Sequence, residues 1–416
     1  MSEEYDLLIL GGGPGGMAAG IYAGRAKMKT ALVDKKGYGG QAITTAELEN
    51  YPGFGRGTTG PGLMEAMARH AESFDCKFIR DEIVEVDLTS SPKKLKGRKD
   101  SYYGKVIILA PGAKYREMGV KGEKRLRGKG VSYCATCDAE FFEELDVVVV
   151  GSGDAAIEEA MFLTKFAETV TIIVLHDQGV VDANQVSAER AFVNPRIKWI
   201  WNSVVESING DGIVENVTLK NLKTDALSEY PTNGVFIFIG TLPKTEFLKG
   251  QVELDEQGYI ITNDKMQTSM EGVYAAGDCR VKYLRQVITA ASDGAIATMA
   301  AEKYLHESEG FEKQVVKAVK PVVLAYYTPG DLKSLEYAGM VEQIVKDSKG
   351  SLGLLKIDAS RNELLTKKYQ ITALPCLQLF KEGNVAAVQA GMMDKVQVKF
   401  CLSTASIIFQ PPSYAH

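Results

Sequence analysis

Across 416 residues the chain carries only four histidines, His70, His176, His306 and His416, and six cysteines, Cys76, Cys134, Cys137, Cys279, Cys376 and Cys401. None of the histidines is spaced to complete a zinc site with the one close cysteine pair, and no second CxxC exists to do so. Cysteines this sparse argue for a reducing compartment rather than a disulfide-stapled secreted scaffold. Basic runs are also missing: the net charge is −5 with both signs interspersed, so there is no electrostatic footprint for nucleic acid. No apolar stretch approaches the roughly 20 residues of a membrane span, and MSEEYDLLILGGGPGG lacks the basic start of a signal peptide. A cytosolic protein without membrane or nucleic-acid partners is therefore expected. What is present is ordinary globular composition, 45% apolar and 24% charged, long enough for two or three domains with real cores.

Residues 5–10, YDLLIL, form an apolar run ending at Gly11-Gly12-Gly13-Pro14-Gly15-Gly16. The Ala-rich pattern AAGIYAGRA and a second run, TALVD, follow, which predicts a βαβ opening. Backbone amides at a helix N-terminus reach a pyrophosphate only where side chains are absent. Gly11 would allow the tight turn, Gly13 the close approach and Gly16 the helix–strand packing. Asp34, ending the next strand, stands where a carboxylate meets an adenosine ribose hydroxyl. The pattern recurs in LDVVVVGSGDAAIEEAMFL, with Gly151, Gly153 and Ala156 in the three required places and the strand VTIIV after it. Two such units carry far more weight than one. Blocks such as KVIILAPGA and GVFIFIGT add strands between and after them.

The segment VSYCATCDAEFF holds the CxxC pair. Without further zinc ligands a redox dithiol is the better reading, and Asp138 directly follows it. Thiol exchange needs a proton donor or acceptor, which Asp138 could be, or it could simply be a helix-start carboxylate.

CATCD placed just before a second GxGxxA unit resembles the low-molecular-weight thioredoxin reductases. GGQ (39–41), ENYPGF (49–54), GVYAAGD (272–278) and RQVITAASDG (285–294) extend the likeness over about the first 305 residues. The resemblance implies an α/β fold of two Rossmann-like nucleotide-binding domains of the FAD/NAD(P)-linked reductase type. An FAD domain would be built from 1–115 and 245–305, with an NAD(P)-type domain holding the dithiol inserted at 116–244. It implies FAD contacts from Gly11, Gly13, Pro14, Gly16, Asp34, Gly40, Gln41, Asn50, Gly277, Asp278, Arg285, Gln286 and Val287. Cys137 would sit against the flavin as the charge-transfer thiolate, Cys134 would attack the substrate disulfide, and Asp138 would be the acid–base. A homodimer and a large rotation between the two nucleotide domains are implied as well. Pro111 departs from the family, which has threonine there; a local backbone adjustment is expected.

Downstream, HESEGFEKQVVKAVK is charge-rich and reads as a linker at 306–319. PVVLAYY, LLKID and CLQLF, separated by helical patterns, predict a small α/β domain at 320–403, followed by a loose tail at 404–416. This domain resembles a thioredoxin, and the fused text is similar to the plant and cyanobacterial NADPH-thioredoxin reductases with a C-terminal thioredoxin. Pro375 would be its cis-proline. Its two active-site cysteines fall on Asp331 and Ser334, which cannot exchange disulfides. Cys376 is alone near that lost site, and Cys76, Cys279 and Cys401 read as buried small hydrophobes.

The stretch VLHDQGVV, 174–181, closes the second nucleotide unit. The resemblance puts Leu175, His176 and Val180 where the family's arginines hold the 2′-phosphate of NADPH, and no phosphate clamp can be built from them. NADH remains possible, with Asp177 on the ribose; NADPH could bind through other groups; or the donor is a ferredoxin, as in related flavin enzymes that lack these arginines. The reading is an FAD-dependent thioredoxin reductase-like enzyme passing electrons through Cys134/Cys137 to a thioredoxin-type protein. Its rivals are a ferredoxin-dependent reductase of the same fold and a low-turnover flavoprotein redox sensor or binding module. A peroxiredoxin-reducing flavoprotein fits less well, because those keep CxxC in their extra module.

Overall fold

The computed structural model describes residues 3–404 apart from 46, 47, 49 and 56. Glu49 of the ENYPGF segment and nearly all of the 404–416 tail lie outside the described residues. The chain divides into two compact units, Met1–Leu305 and His306–His416.

In the first unit, β-branched and leucine-rich runs bury both faces, as parallel strands under helices must. Strand Glu4–Leu10 pairs in parallel with Thr30–Asp34 on one side and Ser101–Leu109 on the other. Lys77–Arg80 extends one edge. The antiparallel strands Lys93–Gly97 and Ile83–Asp87 extend the other, and Val273–Ala275 joins Ser101–Leu109 in parallel. That last pairing returns the chain, more than 160 residues later, to the sheet where it began, because only there can VYA bury both of its faces.

Between these visits the chain builds a second, wholly parallel sheet in the order Ile197–Ile200, Thr169–Ile173, Asp146–Val150, Gly234–Ile237, Val131–Ser132. A three-stranded antiparallel sheet, Ser203–Asn209, Asn216–Asn221 and Leu227–Pro231, covers one face. The chain leaves through Ala113–Tyr115 and comes back through Thr241–Pro243, and these two strands pair with each other. Among the described residues no helix is long and apolar enough to cross a membrane.

The second unit has a four-stranded sheet in the order Gly353–Asp358, Val322–Tyr327, Cys376–Lys381, Asn384–Ala390, its first pair parallel and the others antiparallel. The Leu374–Pro375 bond is cis. The expected linker at 306–319 is corrected here. It is helical through Phe311, then makes a π turn at Glu312–Val316. Phe311 and Val315, four residues apart and so on one face, are buried against Val322, Leu324, Tyr326 and Phe380. Charge density disguised a helix with one short apolar face.

Candidate active site

The first glycine loop turns at Gly11, whose φ of +110° puts a hypothetical Cβ 2.1 Å from the Ala110 carbonyl oxygen. Only glycine fits. A Cβ on Gly16 would lie 1.9 Å from the Gly11 carbonyl oxygen, so Gly11 and Gly16 bring helix Pro14–Arg25 down on the strand. Asp34 braces the loop from the next strand end: one oxygen accepts from the Gly12 amide (3.0 Å) and the other from Lys36 (2.7 Å).

A cleft open to solvent lies in front of this loop. The sequence-derived residues Gly13, Pro14, Asp34, Gly40, Gln41, Asn50, Gly277, Asp278, Arg285, Gln286 and Val287 line it together with Cys134 and Cys137; Gly11 and Gly16 stand behind the wall. Pro111 is part of the same wall. One Asp278 carboxylate oxygen is buried without a hydrogen-bond partner among the described residues, and burial pushes that carboxyl above its ordinary range. An orphaned acceptor at a cleft wall is what a ligand hydroxyl satisfies. The residues present therefore fit a flavin with a polyhydroxyl chain and a pyrophosphate.

Cys134 and Cys137 form a disulfide, their Cα atoms 5.3 Å apart. Cys134 is the N-cap of the short helix Ala135–Asp138 and Cys137 lies within it, shortly after strand Val131–Ser132 of the second sheet. The disulfide also borders a second pocket, lined by Ser132, Arg127, Asp138 and Phe141 among others, which shares Thr44, Thr45 and Tyr115 with the cleft. The sulfur pair thus lies where the nucleotide cleft and an adjoining pocket meet. Gln286 bridges toward it: its amide nitrogen lies 3.2 Å from Thr136 Oγ1 and 3.9 Å from Cys134 Sγ, while its oxygen accepts from Asn50 (3.1 Å).

Asp138 faces away from the cleft, and burial raises its carboxyl above the ordinary range, against the opposing effect of the Ser132 hydroxyl donating at 2.5 Å. It ends helix Ala135–Asp138 and stands at the start of the 3-10 turn Ala139–Phe142, without a side-chain cap bond to that turn. Beneath that turn Glu159, on helix Asp154–Leu163, accepts from the Ala135 and Thr136 amides, and burial raises its carboxyl too. Sequence reading had no signal for Ser132, Thr136 or Glu159, since their roles come from packing. Lys244 was equally silent. It lines the cleft, and burial holds its ammonium below the usual range.

In the second nucleotide unit Gly151 turns with φ +128°, and Gly153 caps helix Asp154–Leu163, with Ala156 buried beneath it. Asp177, expected on a ribose, instead pairs with Lys223. His176 pairs with Asp182, its Nε2 lying 3.0 Å from both carboxylate oxygens.

In the thioredoxin-like unit, Asp331 and Ser334 have structural work. Asp331 caps helix Leu332–Asp347 through the Lys333 amide (3.0 Å), and fully buried Ser334 accepts from the Thr328 amide (3.0 Å). Cys376 is buried, its thiol pushed up to about 11. Cys76 and Cys279 are buried as expected, whereas Cys401 is only half-buried.

Comparisons place this geometry among known proteins. A family model described as pyridine nucleotide-disulphide oxidoreductase matches residues 5–294, and one described as thioredoxin matches 302–403. A thioredoxin reductase of Peptoclostridium acidaminophilum is 51% identical over 311 residues, covering 73% of this chain and 98% of that protein. A thioredoxin reductase of Bacillus subtilis (strain 168) is 43% identical over 310 residues, covering 74% and 97%. The crystal structure of thioredoxin reductase from Streptococcus pyogenes MGAS5005 superposes with a TM-score of 0.70 at 41% identity, covering 74% of this chain and all of that one.

Proposed function

Because this chain belongs to the pyridine nucleotide-disulphide oxidoreductases, as a thioredoxin reductase-like enzyme with a C-terminal thioredoxin domain, we propose that it carries electrons from a nicotinamide nucleotide through FAD and the Cys134/Cys137 pair to a thioredoxin-type protein disulfide. The observation that carries this reading is the Cys134–Cys137 disulfide lining the same cleft as the glycine loop and the orphaned Asp278 carboxylate. A cytosolic homodimer is part of the same proposal.

Gly13 and Pro14 would present the helix N-terminus to the pyrophosphate, Asp34 would take a ribose hydroxyl, and Asp278 would accept from the ribityl chain. Bound there, the flavin supplies two-electron redox chemistry. Two electrons open the Cys134–Cys137 bond to a pair of thiolates, and the two protons of the overall reaction end on the two substrate sulfurs, the first through Asp138 and the second from solvent. The Cys134 thiolate then attacks the substrate disulfide; a Cys134–substrate bond forms, the substrate S–S bond breaks, and the departing sulfur takes a proton. Asp138 is its source, since burial keeps the carboxyl protonated to higher pH than usual. The Cys137 thiolate displaces the remaining substrate thiol, which restores the disulfide. Reaching a protein substrate requires Cys134 and Thr136 to leave Gln286 together, as the implied rotation would bring about.

Asp331 and Ser334 leave the fused domain without disulfide chemistry, so the substrate acts in trans. The reading is tested anaerobically on flavin-loaded variants. Cys134→Ser is expected to show a long-wavelength absorbance band from the Cys137 thiolate, and Cys137→Ser to lack it. Identical spectra would overturn the assignment of the two sulfurs.

A further inference from the structure

A Rossmann unit seats the adenosine ribose between its glycine loop and the end of its second strand. Here one side chain spans that gap. Asp182 accepts from the Ser152 hydroxyl, in the middle of the loop, at 2.7 Å, and lies 3.0 Å from His176 Nε2, just beyond the end of strand Thr169–Ile173. Its backbone is tied to the same loop: the Asp182 and Ala183 amides donate to the Ser152 carbonyl at 3.0 and 2.9 Å. The neighbouring acids are committed elsewhere, Asp177 to Lys223 and Asp154 to Asn184. The Asp182 side chain is 60% exposed, so its carboxylate is open to a ligand, and the Ser152 hydrogen bond first, then His176, holds it below the usual carboxylate range.

The structure assigns Asp182 as the residue that selects NADH over NADPH. Ser152 and the forked His176 contact take up three of the roughly four acceptor positions of this carboxylate, which leaves one, on Oδ1, for a hydroxyl of an unphosphorylated ribose. A 2′-phosphate would bring roughly two negative charges against this carboxylate. Leu175, His176 and Val180, where arginines would neutralise them, supply no guanidinium. The assignment rests on the proposal that a nicotinamide nucleotide is the donor, but it is tested separately from it.

Isothermal titration calorimetry on the flavin-loaded protein would compare ADP-ribose with 2′-phospho-ADP-ribose. The expected result is tighter binding of ADP-ribose by at least about tenfold, the scale of one unfavourable charge contact in partly exposed surroundings. Asp182→Asn and Asp182→Ser should both collapse that ratio to within about threefold, and anaerobic bleaching of the flavin by NADH against NADPH should follow it. Equal binding of the two ligands by the wild type would overturn the assignment. So would a ratio that survives both substitutions, or one that collapses with Asp177→Asn instead. In parallel, dithionite-reduced protein is mixed with oxidised thioredoxin. Turnover without binding of either ligand, or bleaching by reduced ferredoxin alone, defeats the Asp182 assignment and leaves the disulfide reductase reading standing. Selective ADP-ribose binding without transfer to thioredoxin does the reverse.

Discussion

Asp138 sits beside the CxxC in the chain, yet its chemistry comes from burial and from Ser132. A carboxyl raised in the folded protein donates protons below that raised value and loses the ability as pH climbs through it. Folding stability follows the same sign: the contribution is present at low pH and is lost as pH rises through the folded value. Asp138→Asn is expected to lower disulfide exchange with thioredoxin roughly 10²-fold and to flatten the alkaline decline tied to this carboxyl, as pH–rate profiles would record. Asp278 is the matching case in the cleft. Asp278→Ala removes an acceptor that nothing else in the described protein uses, so flavin affinity should fall roughly tenfold while thermal stability holds or rises. Flavin retained after gel filtration, beside a melting curve, reads both.

Two glycines in one turn separate folding from binding at the scale of the element. A Cβ at Gly151 would meet the Phe238 carbonyl oxygen at 2.4 Å in a left-handed backbone, while one at Gly153 meets nothing within 4 Å. Gly151→Ala should cost about 2 kcal/mol or more in denaturant unfolding. Gly153→Ala should cost under about 1 kcal/mol and instead weaken ADP-ribose binding, because only the ligand needs that space. The motif gives the first of these glycines the tight turn and the second the close approach, and the space around each differs in the same sense. The helix through 306–311 was not legible in this way: its charges hid the pair Phe311 and Val315, whose role depends on strands far along the chain.

At the scale of the whole molecule, six cysteines divide into a working pair and four others. Burial pushes the Cys76 and Cys279 thiols up to about 12 and Cys376 to about 11. After mild reduction, brief native alkylation read by mass spectrometry should mark Cys134 and Cys137 and leave Cys76, Cys279 and Cys376 unmodified. Cys376→Ser should leave thioredoxin reduction unchanged, since the thioredoxin-like unit holds no second sulfur at Asp331 or Ser334.

The family, both glycine loops, the dithiol and the loss of the second CxxC were legible in residue order alone, because each depends on local spacing that backbone geometry dictates. Tertiary structure decided what depends on distant strands meeting. It set Asp278 as an orphaned acceptor, Glu159 beneath the CxxC turn, and Asp182 against both Ser152 and His176. No motif marks these residues, because each acquires its partners only when segments far apart in the chain are packed together.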